Sequence, residues 1–260
     1  MILEYHRPTT IKEALQLLNR STPLTRPLAG GTLLNRPGSE AIAVVDLQAL
    51  GLDTVELRGN SLRVGAMVRL QTLLEGAESG EGLKEAIHHE AALNLRQAAT
   101  LAGTAAAADG RSPLLAALLA LDAGLEIRHA EAGTSRVDLG DWLPVRGARR
   151  GELITAVELP LKARLSYHYV ARTPEDLPIV GVAVAQWSSG RTRTVVCGWG
   201  KLPCLALDGP EAGGIEAAVS SASSEASDAW ASSEYRQAAA AILARRALED
   251  IQAGGDQGSR

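Results

Sequence analysis

The chain of 260 residues is 46% hydrophobic and 22% charged, and its 26 basic against 30 acidic residues leave a formal net charge of −4. That balance gives no basic excess for nucleic acid and no polybasic run for a membrane surface, and the length suffices for two compact domains or one large one. No apolar run is long enough to span a bilayer and the N-terminus lacks a signal-peptide pattern, so a cytoplasmic protein without a transmembrane segment is expected.

Tyr5 to Pro8 reads as a short extended start, and Thr10-Ile-Lys-Glu13 as a capping box. Ile11, Ala14, Leu15, Leu17 and Leu18 then predict an amphipathic helix ending before Ser21 and Pro23. Arg26-Pro-Leu-Ala breaks into Gly30-Gly31, where paired glycines permit backbone angles closed to other residues. Ile42–Leu47 and Leu62–Ala66 read as buried strands, which makes the first segment β-α-β with a glycine loop near its middle. That loop does not fit the dinucleotide-binding G-x-G-x-x-G pattern, because no third glycine opens a helix at the right spacing.

From Leu70 a helix covers Leu73 and Leu74, and helix is expected again from Leu83 to Leu95. The stretch from Thr100 to Ala123 organises the chain. It begins as Thr-Leu-Ala-Gly-Thr-Ala-Ala-Ala-Ala-Asp-Gly-Arg, residues with almost no side chain, and reads as a backbone-rich loop. Ser112 and Pro113 follow as N-cap and first helical residue, leading into a buried helix with Leu114, Leu115, Leu118 and Leu119 at helical spacing. Tiny residues let a ligand press against the main chain, where N–H groups meet phosphate oxygens.

Leu125–Arg128 and Arg136–Leu139 predict a hairpin around Ala132-Gly133, and the charged turn Arg149-Arg150-Gly151 precedes a strand at Leu153–Pro160. A shift in composition at Lys162 to Arg164 places a domain boundary there. Three strands are expected at Ser166–Ala171, Ile179–Trp187 and Arg193–Trp199, then a loop from Pro203 to Gly213. Ser220 to Ser233 is rich in Ser and Ala. A final helix spans Ser233 to Ala253, with Tyr235, Ala239, Ile242 and Leu243 as core, and residues 254–260 form a frayed tail.

Two cysteines, Cys197 and Cys204, are too few for an iron–sulfur cluster. They form a disulfide in an oxidising compartment and stay thiols inside a cell. The histidines His6, His88, His89, His129 and His168 show no metal-ligand spacing. With no G-x-S-x-G elbow, P-loop or H-E-x-x-H, any chemistry falls to a bound cofactor.

In order and spacing, these segments resemble the flavin-binding (medium) subunit of the molybdenum hydroxylases, a group that includes aerobic carbon monoxide dehydrogenase and bacterial xanthine dehydrogenases. The resemblance runs through Arg7-Pro8-Thr9, Leu28-Ala-Gly-Gly-Thr32, Val64-Gly-Ala66, Arg96 with Thr100-Leu-Ala-Gly-Thr104, and Leu118–Ala123. It continues with Gly151-Glu-Leu-Ile154, Tyr169-Val-Ala-Arg172, and Ser232-Ser-Glu-Tyr-Arg236 followed by Ala244-Arg-Arg246. It implies an α+β fold, with a two-subdomain FAD-binding domain of the molybdopterin-dehydrogenase type followed by a small antiparallel sheet with helices. The domains are then 1–162, with its subdomains split near 50–60, and 163–253, ahead of the 254–260 tail.

The same resemblance implies FAD as cofactor and a heterotrimeric complex, single or doubled, with an iron–sulfur subunit and a molybdenum-cofactor subunit. The chain would pass electrons from the partner's clusters to an external acceptor. Its cofactor-binding residues would be Leu28, Ala29, Gly30, Gly31, Thr32, Leu33, Leu34, Thr100, Leu101, Gly103 and Thr104, joined by Asp109 toward a ribose hydroxyl and Arg172 beside the flavin or its phosphates. No residue of this chain is assigned a catalytic or metal-binding role.

Departures from the family pattern concentrate at this site. Leu33 stands at a polar position, Ala102 replaces a glycine, Thr104 an asparagine and Pro113 a ribose-holding aspartate, and Ala107 stands where Asn or Thr is common. FAD held in the complex but readily lost from the isolated subunit is therefore expected. Two alternatives belong to other classes: a flavin-free structural or assembly subunit of the same kind of complex, and a flavin reductase acting alone.

Overall fold

The computed structural model describes residues 1–32, 34, 41–147 and 150–256. Its chain contacts divide it into two compact units. The first joins Met1–Leu73, Leu93–Ala107 and Gly124–Leu159; the second joins Leu74–Ala92, Ala108–Ala123 and Pro160–Arg260. Each unit is assembled from separated stretches, whereas the expected domains 1–162 and 163–253 are consecutive; both divisions place a break near residue 160.

The first unit starts with β1 (Ile2–His6), α1 (Ile11–Leu18), β2 (Thr25–Leu28) and β3 (Ile42–Asp46). The strands form a parallel sheet in the order β1-β3-β2. Every residue of β3 is buried, as a central parallel strand requires. Thr10 caps α1 by accepting a hydrogen bond from the Glu13 N–H at 3.2 Å, and the Glu13 carboxylate accepts from the N–H of Thr9. Ala14, Leu15 and Leu18 pack against Val45, Leu47 and Leu153.

A second sheet of the same unit has the order β4-β5-β8-β6-β7, from β4 (Val55–Arg58), β5 (Ser61–Gly65), β6 (Gly124–His129), β7 (Gly133–Asp138) and β8 (Glu152–Pro160). The hairpin β6–β7 turns where the alternation predicts it. Strand β4, absent from the sequence reading, carries exposed Val55 and Leu57 and lies at the sheet edge, so it leaves no burial pattern to read.

The helices after β5 are α2 (Leu70–Glu75), α3 (Glu81–Glu90), α4 (Leu93–Arg96), α5 (Leu101–Ala107) and α6 (Pro113–Ala120). Two corrections follow. The helix expected from Leu83 to Leu95 is two helices, broken at Ala91, whose backbone is extended. The small-residue stretch after Thr100 is not a loop but α5: its alanines favour helix, and Gly103 is carried within it.

In the second unit, β9 (Ala163–Val170), β10 (Val180–Trp187), β11 (Thr192–Cys197) and β12 (Cys204–Gly209) form an antiparallel sheet in the order β12-β11-β10-β9. Val180, Val182, Val184 and Val196 meet α8 (Ile215–Ala222) and α9 (Ser233–Asp256), while α6 packs on β10 and β11 and meets α3. All eight residues of α6 are buried, consistent with a helix apolar all round. Ser112 caps it as predicted, accepting from the Leu115 N–H at 3.0 Å, with Pro113 in the first turn.

Residues Pro203 to Gly213, expected as a loop, contain β12 on the sheet edge, and the serine-rich region begins inside α8. Helix α9 continues through Asp256, so the expected tail is helical at its start, while 257–260 lie outside the described residues. On α9 the core is made by Ala240, Leu243, Ala244, Ala247 and Ile251, and Tyr235 and Ile242 are exposed rather than buried. Arg236, fully buried, donates to the carbonyls of Ile179 and Ala226 and holds Asp228 with two bonds of 2.9 Å. It ties the start of α9 to the sheet. Among the described residues no helix is long and apolar enough to cross a membrane.

Candidate functional site

A cleft of about 550 Å³ lies within the first unit, in the size range of cofactor sites. One wall is the chain leaving β2: Ala29, Gly30, Gly31, Thr32 and Leu34. A second is α5 with its lead-in: Thr100, Ala102, Gly103, Thr104, Ala106 and Ala107. Trp142 and Ile154 add apolar surface.

The two walls touch because their residues are small. A methyl group at Gly30 would lie 1.9 Å from the Ala98 carbonyl oxygen, so glycine is required where the β2 loop crosses the strand of chain before α5. One at Gly103 would come within 2.8 Å of the Thr100 hydroxyl and 3.7 Å of the Ala29 methyl. Gly31 has φ of 70°, a left-handed conformation suited to glycine. Close packing of main chain, together with positive φ, turns the loop sharply at the cleft.

The backbone of α5 is less open to a ligand than a loop would be. The Leu101 N–H donates to the Val68 carbonyl at 3.0 Å, Gly103 to the Thr100 hydroxyl at 3.2 Å and Thr104 to the Thr100 carbonyl at 2.9 Å. These three N–H groups are satisfied within the protein. Leu101 is fully buried beneath the wall, and Leu28 stands behind the other, where its carbonyl accepts from the Leu47 N–H at 3.0 Å. Neither lines the cleft. Leu33 lies outside the described residues.

Cations at the cleft are the feature that the pattern of small residues does not announce. Arg20, Arg26, Arg146 and Arg150 all contribute to its walls, and Glu152 is the sole carboxylate among the described lining residues. Arg20 is matched by Glu4 at 2.8 Å, whose carboxyl is held below its usual range by hydrogen bonds from His6 and Arg20. Glu152 has His129 at 3.3 Å. Arg146 donates to the Ala105 carbonyl at 3.0 Å, which fixes its guanidinium beside α5. A visible signal exists in hindsight: Arg146-Gly147 and Arg150-Gly151 place two guanidiniums beside glycines of φ 82° and 69° in an otherwise acidic chain.

Asp109 and Arg172 belong to the second unit and are not among the cleft-lining residues. The Asp109 carboxylate accepts from the Arg111 N–H at 2.9 Å, and its carbonyl from the Ser112 N–H at 3.2 Å, closing the turn before α6. The Arg172 guanidinium lies 4.5 Å from the centre of the Trp230 ring, which Arg111 approaches to 4.7 Å.

The second unit also holds a buried polar cluster. The Tyr167 hydroxyl lies 3.2 Å from His89 Nδ1, and the other ring nitrogen of His89 lies 2.7 Å from the Asp176 carbonyl. Gly181 leaves space that the Tyr167 hydroxyl and the Cys197 sulfur fill. Burial pushes the Cys197 thiol up to about 12 and lowers the His89 pKa. Such a thiol is not a nucleophile at neutral pH. Cys197 and Cys204 are both free thiols. Beside this cluster the Glu90 carboxylate accepts from the Ser112 hydroxyl at 2.6 Å and the Leu114 N–H at 3.0 Å; burial raises its pKa to about 7. Among the described residues no His, Cys, Asp and Glu group is arranged to hold a metal ion.

A ligand for the cleft must be slender where it passes the two walls and anionic where it meets the arginines. A dinucleotide such as FAD, with flat aromatic ends and a charged diphosphate, fits that lining. Comparison with known proteins agrees. The chain is 28% identical to an uncharacterized protein, YgfM, of Escherichia coli K12, over 99% of both chains. It is 29% identical to the carbon monoxide dehydrogenase medium chain of Afipia carboxidovorans, over 96% of both. The fold superposes on a chain of the crystal structure of the Cu,Mo-CO dehydrogenase in its cyanide-inactivated form with a TM-score of 0.82, at 25% identity, covering 97% of this chain and 98% of that one. Residues 1–162 match the family described as the FAD binding domain in molybdopterin dehydrogenase. The chain therefore belongs to that family, an α+β FAD-binding protein homologous to the medium subunit of carbon monoxide dehydrogenase.

Proposed function

We propose that this chain is the electron-transfer subunit of a molybdenum hydroxylase, working in the cytoplasm within a heterotrimer, single or doubled. An iron–sulfur subunit and a molybdenum-cofactor subunit are its partners. The observation that carries this reading is the cleft between the Ala29–Leu34 segment and α5, which lies inside the residues that match the family.

FAD, when bound, supplies reversible electron acceptance from partner clusters and donation to an external acceptor. The chain's own residues position it. Ala29, Gly30, Gly31, Thr32 and Leu34 approach the dinucleotide, with Leu28 anchoring the segment to β2; Leu33, which lies outside the described residues, is proposed as a cofactor-binding residue with them. Thr100, Gly103 and Thr104 present the opposite surface, and buried Leu101 seats α5 behind them. In this reading the α5 segment contributes shape more than N–H donors, because the N–H groups of Leu101, Gly103 and Thr104 already have protein acceptors. Arg172 and Asp109 are proposed to contribute from the second unit, Arg172 as a cation that stabilises the reduced flavin and Asp109 through its carboxylate. Residues 1–162 act as the flavin-binding domain and 163–253 as the C-terminal flavoprotein domain.

Purification of the chain with its natural partners tests the reading. Flavin absorption near 450 nm that follows this chain, and co-purifying subunits carrying clusters and molybdenum, are the expected result. A colourless complex that takes up no FAD favours the flavin-free structural subunit. A yellow chain that associates with no cluster-bearing subunit favours a reductase acting alone.

A further inference from the structure

A line of three polar groups crosses the five-stranded sheet of the first unit, from its edge to the cleft. Strands β7, β6 and β8 are neighbours there, with β7 outermost, and each supplies one group. His129 on β6 pairs with Gly133 on β7 and with Glu152 on β8. Gly133 has no side chain to stand opposite the imidazole, so the ring reaches Ser135, two residues farther along β7 and on the same face. The Ser135 hydroxyl lies 2.6 Å from His129 Nε2, and His129 Nδ1 lies 3.3 Å from a Glu152 carboxylate oxygen. The Ala130 N–H, donating to the Gly151 carbonyl at 3.2 Å, fixes the strand ends beside this pair. Ile127 and Ile154 alternate with His129 and Glu152 on that face, and Ile127, Ile154 and Glu152 all line the cleft. The side chains of His129 and Glu152 are only 19% and 14% exposed, whereas Ser135 is half-buried on the edge strand, within reach of water.

We propose that Ser135, His129 and Glu152 are a proton relay between solvent at the sheet edge and the ligand in the cleft. The proposal rests on the reading of the cleft as the flavin site. Reduction of FAD by two electrons takes up at least one proton, and iron–sulfur clusters deliver only the electrons, so the proton comes from water. The imidazole tautomer with hydrogen on Nδ1 donates to the Glu152 carboxylate and leaves Nε2 to accept from the Ser135 O–H. An inward shift moves the Nδ1 proton to Glu152, the Ser135 proton to Nε2 and a solvent proton to Ser135 Oγ. The net result is one proton gained at Glu152 and no charge left on the ring. Glu152, the sole carboxylate among the described lining residues, holds that proton at the cleft wall. When electrons leave for the acceptor, the reverse shift returns the proton to water and restores the tautomer.

Single-turnover reduction of the full chain, loaded with less than one equivalent of FAD, tests the relay. Reduced methyl viologen supplies electrons and no protons, and a pH-indicator dye in weak buffer reports proton uptake beside the bleaching of the flavin. In the wild-type chain uptake keeps pace with bleaching. His129→Ala is expected to slow uptake roughly tenfold or more, and added imidazole to restore it without changing the wild-type rate. Glu152→Gln keeps the side chain's shape but has no carboxyl to carry the proton; it should slow uptake as much, with no rescue by imidazole. Ser135→Val suits an edge strand and removes the hydroxyl, so it should slow uptake in a folded protein even where the other variants fail to fold. Wild-type uptake in any of the three variants overturns the relay while leaving the flavin site in place. So does a slowing in His129→Ala that imidazole does not relieve. A wild-type chain that takes up no FAD overturns the site and the relay together.

Discussion

The cleft of the first unit and the His89–Tyr167–Cys197 cluster of the second are both built around glycines. At Gly30 and Gly103 the missing side chain lets two stretches of main chain close on each other and leaves a cavity beside them. At Gly181 the missing side chain is replaced by a tyrosine hydroxyl and a thiol, and nothing is left open. The polar groups differ accordingly. Cations edge the cleft, whereas the cluster's hydroxyl and imidazole satisfy one another and its thiol stays neutral. A glycine signals close approach; what approaches decides whether the place is a site or a core.

This contrast can be broken by substitution. Gly30→Ala forces a methyl into the Ala98 carbonyl and should cost about 4 kcal/mol or more, seen as failure to fold or a large fall in Tm, with FAD binding lost alongside. Gly181→Ala meets side chains instead, 2.8 Å from the Cys197 sulfur and 2.9 Å from the Tyr167 oxygen, and should cost about 1–3 kcal/mol. Adding Cys197→Ala should restore part of that loss in a double-mutant cycle; strictly additive effects would show that the glycine is not there to house the thiol.

Glu90 sharpens the comparison through pH. Its pKa rises from 4.5 to about 7 on folding, so the stabilising protonated form is fully populated below pH 4.5 and is lost as pH climbs through 7. Glu90→Gln keeps an acceptor for Ser112 and Leu114 but cannot ionise. It should raise stability at pH 8 by about 1–2 kcal/mol and leave it unchanged at pH 4, measured by denaturant unfolding at both values. The smallest effect is expected at Gly31→Ala, where φ of 70° makes the cost roughly 1 kcal/mol, with weaker FAD binding from a displaced loop.

Elements with strong periodicity or end signals were legible from residues alone. The Ser112-Pro113 start of α6, the Thr10 cap of α1 and the β6–β7 hairpin follow directly from side-chain chemistry. Two edge strands, β4 and β12, were not, since both have half-solvated patterns and β12 follows directly on Pro203. The run of alanines after Thr100 was read as a loop because its residues are small, yet alanine favours helix, and the stretch forms α5 with the Leu101 N–H donating to the Val68 carbonyl. Of the cleft, the walls were readable as small-residue segments. Its arginines were readable only as two separate short stretches, Arg20 with Arg26 and Arg146 with Arg150, which the fold brings to one cleft.

Helix α6 carries a consequence for how the chain is made. It is apolar on every side and buried on all eight residues, yet the strands it rests on begin only at Ala163. A ribosome delivering the protein from its N-terminus exposes this greasy segment well before its cover has been synthesised. Until β10 and β11 emerge, the nascent polypeptide offers an uncovered leucine- and alanine-rich surface to whatever is nearby. A product truncated at residue 162, where the family match ends, would keep that surface exposed permanently and should aggregate or be captured by chaperones rather than fold as a free-standing piece.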